Sequence, residues 1–174
     1  MSIQGRKGQA VVSALFVLLI LFIDQCLKFL VRTNFLVGDS IPIISNILHI
    51  TFVRNTGAAF GLFKNATVIF AMISVIAAVF ILLLLIQIVK RGEFFKKPMF
   101  NYSLVLILSG AIGNLIDRVR FGYVIDFIDF RVWPVFNIAD SSITIGTVFL
   151  ILSFMRQKPL HPSLNLHPDL QNHP

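Results

Sequence analysis

From Val68 to Val89 the chain carries no charged residue. A helix over that run, rising about 1.5 Å per residue, is long enough to cross a hydrocarbon core about 30 Å thick. In water such a helix would have no polar face to show solvent. The composition agrees: of 174 residues 56% are hydrophobic and 13% charged, with a mean hydropathy of +0.85. A soluble domain of this size lacks the polar residues to cover its core, so the sequence predicts an integral membrane protein built as one compact domain.

The formal charge of +7 reflects 15 Lys and Arg against 8 Asp and Glu. The basic residues stand singly or in pairs at the ends of apolar runs, where they read as topology determinants and anionic-lipid contacts. That distribution argues against a nucleic-acid partner. Cys26 is the single cysteine, so no intrachain disulfide can form.

Three further runs complete a predicted set of four transmembrane helices at about 10–31, 68–89, 100–116 and 137–155. The first follows a polar start with Arg6 and Lys7, like a secretory leader, but no small-x-small cleavage site follows it. It reads as an uncleaved first helix. Between the first two helices the texture changes over 33–65. Gly38, Asp39 and Pro42 are turn signals, and Ile47 to Val53 alternates with β-branched and aromatic residues, predicting a short strand or hairpin. An open sheet edge cannot lie in lipid, so this insert is expected on the membrane surface. Residues 157–174 are rich in Pro, His and Asn and are expected to form a disordered tail. Its His161, His167 and His173 read as solvated rather than metal-binding. Four helices put both termini on one side; the 15 Lys and Arg divide almost evenly, with the shorter, denser basic loops favouring cytoplasmic termini.

The stretch from Gly122 to Asp140 places Asp126, Asp129 and Asp140 among apolar residues, and ionisable groups at membrane depth are functional candidates. The polar residues of the helix ends gather with them on one side: Asp24, Lys28, Asn55, Asn114, Asp117, Arg118 and Asn137. Two nearby carboxylates in a dry pocket share one proton, and such a pair can activate water while polarising an amide carbonyl. Asp126 with Asp140 is the candidate pair. Other readings stand beside it. Asp140 and Asn137 suit a cap on the fourth helix; Asp117 and Arg118 suit a local ion pair; Asp129 beside Arg131 suits a solvated loop. Asp24 and Lys28, spaced i and i+4, are either a snorkelling interfacial pair or part of the site. No Ser/His/Asp, Cys/His or HExxH pattern competes. A transporter relay would spread polar groups through the membrane depth, whereas these lie at one end.

Five segments, Asp24-Gln25-Cys26-Leu27-Lys28, Asn55-Thr56-Gly57-Ala58-Ala59-Phe60, Gly110 to Arg118 (GAIGNLIDR), Val124-Ile125-Asp126-Phe127 and Phe136-Asn137-Ile138-Ala139-Asp140, resemble in order and spacing the motifs of bacterial lipoprotein signal peptidase, signal peptidase II. Ser109 departs from the pattern, in which a second glycine is common, and touches packing alone. The resemblance implies an all-α membrane protein of four transmembrane helices with a small β-structured periplasmic insert, forming one peptidase domain over 1–156 with a cytoplasmic tail. It implies an aspartic endopeptidase of the bacterial inner membrane, free of metal and cofactor, with both termini cytoplasmic and its site near the periplasmic face. The substrate would be a diacylglyceryl-modified prolipoprotein, cut N-terminal to the lipidated cysteine. Asp126 and Asp140 would be catalytic, with Asp24, Lys28, Asn55, Gly57, Asn114, Arg118 and Asn137 lining or supporting the pocket. Membrane lipids, and cyclic peptide antibiotics such as globomycin as inhibitors, are the other implied partners.

Overall fold

A computed structural model describes residues 3–57 and 66–156. In chain order these form α1 (Ile3–Asn34), β1 (Ser40–Ile44), β2 (Leu48–Asn55), α2 (Thr67–Lys90), α3 (Pro98–Phe121), β3 (Val124–Asp129) and α4 (Ile138–Met155). All four helices are long and apolar enough to cross a membrane. The expected fold class, four such helices with a small β element, is what the chain adopts. The predicted tail at 157–174 and the Ala58-Ala59-Phe60 part of the second motif lie outside the described residues.

α3 is the central helix. Eleven of its residues are buried, against two in α2 and four in α4. Its small residues make this possible. A Cβ on Gly110 would collide with the Ala139 carbonyl of α4, and one on Gly113 would meet Asp24 Oδ2 at 2.8 Å and Ala139 Cβ at 3.2 Å. On the facing helix, a Cβ on Gly146 would come within 2.9 Å of the Ser103 carbonyl. Close backbone approach of this kind is how helices associate where lipid removes the hydrophobic drive. Ser109 is buried and spends its hydroxyl on the Val105 carbonyl at 2.7 Å, a local bond that leaves the α3 packing intact.

Pro98 opens α3 and Gly122, at φ 77°, ends it in the left-handed conformation that glycine tolerates best. The helix therefore runs past Ile116, where the expected helix stops, and carries Asp117 and Arg118 within its last turns. Asp117 is satisfied inside the protein by Lys28, Gln25 and the N–H of Ile125, and half-buried Arg118 donates to the Asn114 carbonyl one turn back. A second difference is β3, a strand absent from the sequence reading. It joins the predicted hairpin as the third strand of an antiparallel sheet in the order β1-β2-β3, with Val53 opposite Asp126 and Asn55 opposite Val124. Its apolar side chains Ile125 and Phe127 form a core with Phe52 of β2 and Val31 of α1. This core fixes the sheet to the end of the bundle where α1 and α3 finish and α4 begins.

Candidate active site

β3 and the N-terminus of α4 bring the two candidate acids together. Asp126 faces inward from β3 and is 1% exposed, while Asp140 sits half-buried in the first turn of α4. Asn137 joins them. Its side-chain oxygen accepts the N–H of Asp140 at 2.8 Å, and the Asp140 carboxylate accepts the N–H of Asn137 at 3.3 Å, a reciprocal capping box. The same amide donates to Asp126 Oδ1 at 2.7 Å and to Asn114 Oδ1 at 3.1 Å. Capping and site-building are thus one arrangement: the cap residue is also the bridge.

Asn114 of α3 donates to Asp140 Oδ1 at 2.8 Å, and Asn55 at the end of β2 donates to Asp126 Oδ2 at 2.9 Å. Asn55 is held by the N–H of Gly57 at 3.0 Å, which places Gly57 beside the site as a backbone donor. Each carboxylate therefore keeps amide donors on fixed elements. Asp126 is nevertheless pushed up to about 7. Burial is the main cause and neighbouring Asp140 adds to it, while the bonds from Asn55 and Asn137 pull the other way. A carboxyl group in that range holds or yields a proton near neutral pH. Arg118 lies half-buried on the α3 side, over the Phe70 ring at 5.6 Å, with Asp140 and Asp126 within its electrostatic reach.

The other acids correct the sequence reading. Asp117 does not pair with Arg118; it is fully buried and lies 3.0 Å from Lys28 Nζ. Successive helix positions point in different directions, so Asp117 faces α1 while Arg118 faces the aspartates. Asp24 and Lys28 do pair, at 2.9 Å, but at 0% and 1% exposure neither snorkels. Asp129 is not in a solvated loop. It ends β3, buried, and accepts from Thr51 at 2.7 Å and Arg131 at 3.1 Å; these bonds outweigh its burial and hold it below the usual carboxylate range. Gln25 escaped notice altogether, although it sits inside a quoted motif. Its amide donates to Asp24 and Asp117, both at 3.1 Å. Among the described residues no group of three His, Cys, Asp or Glu is placed to hold a metal ion.

The model of the family described as signal peptidase (SPase) II matches residues 16–156, a span containing both aspartates and every residue of this network. The chain belongs to the signal peptidase II family. It is accordingly a peptidase and a multi-pass membrane protein. Among proteins named lipoprotein signal peptidase, that of Moorella thermoacetica is 47% identical over 136 residues, covering 78% of this chain and 87% of its own. That of Halothermothrix orenii is 46% identical over 142 residues, covering 82% and 94%. A solved structure titled as a bacterial membrane enzyme, determined by the in meso method at 2.3 Å, superposes with a TM-score of 0.74 at 33% identity, covering 86% of this chain and 93% of that one.

Proposed function

We propose that this signal peptidase II chain is an aspartic endopeptidase that removes the signal peptide from diacylglyceryl-modified prolipoproteins, cutting N-terminal to the lipidated cysteine, with Asp126 and Asp140 as its catalytic pair. The observation that carries the reading is the bridge through Asn137 and Asn114, which holds two carboxylates side by side while leaving Asp140 half-exposed. With one proton between them, the ionised carboxylate takes a proton from water as its oxygen attacks the scissile carbonyl carbon. The neutral carboxyl donates its proton to the carbonyl oxygen. A tetrahedral diol results. On collapse the C–N bond breaks: one diol hydroxyl gives its proton to the ionised carboxylate, and the carboxyl that took a proton from water passes it to the leaving amine of the lipidated cysteine, which restores one proton on the pair.

Asn55 and Asn114 each have polar atoms close to a carboxylate, well placed to hold an unwound substrate backbone, and the Arg118 guanidinium offsets the negative charge of the pair. The exposed apolar side chains of the β1–β2 hairpin, Ile41, Ile43 and Ile44, with Val132 and Trp133 on the β3–α4 loop, suit a rim lying on lipid. We place that rim on the periplasmic face of the inner membrane, with both termini cytoplasmic and residues 1–156 acting as one membrane domain. The lipid chains of the substrate then stay in the bilayer while the peptide enters the polar end. A cyclic peptide such as globomycin would inhibit by occupying the space between the aspartates. Incubation of the purified protein with a lipidated prolipoprotein tests the reading: the wild type releases the signal peptide, whereas folded Asp126→Asn and Asp140→Asn proteins do not. Cleavage by either variant at the wild-type rate refutes it.

A further inference from the structure

Two buried carboxylates take no part in the chemistry above, and each grips backbone. Asp24 Oδ1 accepts the N–H of Ala139 at 2.9 Å, and Asp117 Oδ2 accepts the N–H of Ile125 at 3.1 Å. Ala139 immediately precedes Asp140, and Ile125 immediately precedes Asp126. Both acids close on a single ammonium: Lys28 Nζ lies 2.9 Å from Asp24 Oδ2 and 3.0 Å from Asp117 Oδ2. Its third donor goes to Asn114 Oδ1 at 3.0 Å, and Asn114 in turn donates to Asp140. The three donors of a lysine are thereby all used. Gln25 Nε2 spans the two acids from the side.

We propose that Lys28 and Gln25 draw Asp24 and Asp117 into a charge-dependent clamp that sets the separation of the two catalytic aspartates, making Asp117 and Gln25 positioning residues of the reaction. The inference rests on reading Asp126 and Asp140 as the catalytic pair. β3 and α4 come from different parts of the chain, and the clamp refers both to one point on α1. Asp117 holds the backbone N–H of the residue before Asp126; Asp24 holds that of the residue before Asp140. A buried ion triad adds little stability over apolar packing of the same volume, but it fixes geometry sharply, because each member has one arrangement that satisfies all its bonds. Gly113 belongs to the device, since a Cβ there would press on the Asp24 carboxylate at 2.8 Å.

Asp117→Asn tests the clamp, because it keeps the side-chain shape and an oxygen for Ile125 N–H while removing the charge that faces Lys28. Misplacing a catalytic group by about an ångström costs about a hundredfold, so kcat on the lipidated prolipoprotein falls by about that factor while KM stays within about twofold. Amide hydrogen exchange of the segment around Ile125 quickens, and the four helices keep their protection. Asp24→Asn quickens exchange at the segment around Ala139 instead. Because the two acids share Lys28, the loss in kcat for the double variant is smaller than the product of the single losses. Wild-type kcat for folded Asp117→Asn, or losses that multiply, or a uniform rise in exchange across all four helices, each overturns the proposal. Should Asp117→Asn not fold, Gln25→Leu decides: it removes the neutral member alone, and an unchanged kcat in the folded variant overturns the clamp. The exchange measurements need no turnover. Normal cleavage by Asp126→Asn and Asp140→Asn would therefore defeat the catalytic reading while exchange still reports on the clamp.

Discussion

The two ends of the helix bundle both bury polar side chains, and they do so with different chemistry. At the end away from the sheet the buried polar groups are uncharged, the amides of Gln9 and Asn101 with the hydroxyls of Ser103 and Ser153. Gln9 accepts the N–H of Phe94, and Asn101 donates to the carbonyls of Glu93 and Phe94, tying down the α2–α3 turn. At the sheet end Asp24, Lys28, Asp117, Asp126 and Asp129 are buried along with the amides of Asn114 and Asn137, and Asp140 lies beside them. A neutral amide with its bonds made is inexpensive to bury, whereas a charge needs a partner and several hydrogen bonds merely to break even. Stability calls for the first arrangement and gives no reason for the second. The contrast supports placing the proposed chemistry at the sheet end in a chain whose helices look alike by hydropathy.

The largest expected effect breaks that contrast outright. Asp126→Asn removes an ionisable group that burial opposes, so cleavage falls by at least about a thousandfold while the fold is unharmed. Its melting temperature in detergent equals or exceeds that of the wild type. A large drop in melting temperature would mean that the charged end serves stability after all.

Asn137 is a sharper probe, since it caps α4 and bridges the aspartates at once. Asn137→Ser keeps an oxygen for the cap but loses the reach to Asp126 Oδ1. An activity loss of about a hundredfold follows from misplacement of the acid, with only a small fall in melting temperature because the cap persists. Equal losses in Asn137→Ser and Asn137→Ala, tracking stability alone, would count against the bridge.

pH separates the two ends more gently. An unfolded aspartate titrates near 3.9, while Asp126 in the folded protein is pushed up to about 7. Between those values the native state holds a proton that the unfolded state has already lost. Stability therefore decreases as pH rises through this window and levels off above it. On the proposed mechanism, which uses one proton on the pair, cleavage declines as pH rises through about 7. Melting curves from about pH 5 to about pH 8 for the wild type and Asp126→Asn check the sign, because the amide does not titrate and flattens the slope. A slope unaltered by Asp126→Asn would move the proton to another group.

Much of this was legible in the chain. The four apolar runs located the helices because lipid permits few alternatives, and the alternation at Ile47–Val53 announced the hairpin. The one-sided gathering of Asp24, Lys28, Asn55, Asn114, Asp126, Asn137 and Asp140 was readable for the same reason: polar groups in an apolar chain are rare. Pairing was readable for Asp24 with Lys28, spaced i and i+4, but not for Asp117. Asp117 beside Arg118 suggested a local bond, yet its partners on α1 and β3 are set by how α3 rotates against them, which sequence spacing does not encode. β3 was hidden because VIDFID presents a continuous apolar stretch with two acids, and its strand character comes from pairing with β2. Gln25 gave no signal beyond adjacency to Asp24.

The smallest effect belongs to the neutral end. Asn101→Ala removes the donor to the Glu93 and Phe94 carbonyls. Interhelical and loop hydrogen bonds in membrane proteins contribute about 1 kcal/mol each, so the melting temperature falls by a few degrees. Asn101 sits in the first turn of α3, whereas Asn114, which touches Asp140, lies in its second half, with the packed Gly110 and Gly113 contacts between them. The two amides are joined by α3, held firmly against α4, and through Gln9 and Lys28 by α1, both continuous helices. kcat therefore stays at the wild-type value in Asn101→Ala at temperatures well below its melting point. A proportionate loss of kcat would mean that loosening one end is transmitted along α3 to the other, and that the division between a structural end and a chemical end is false.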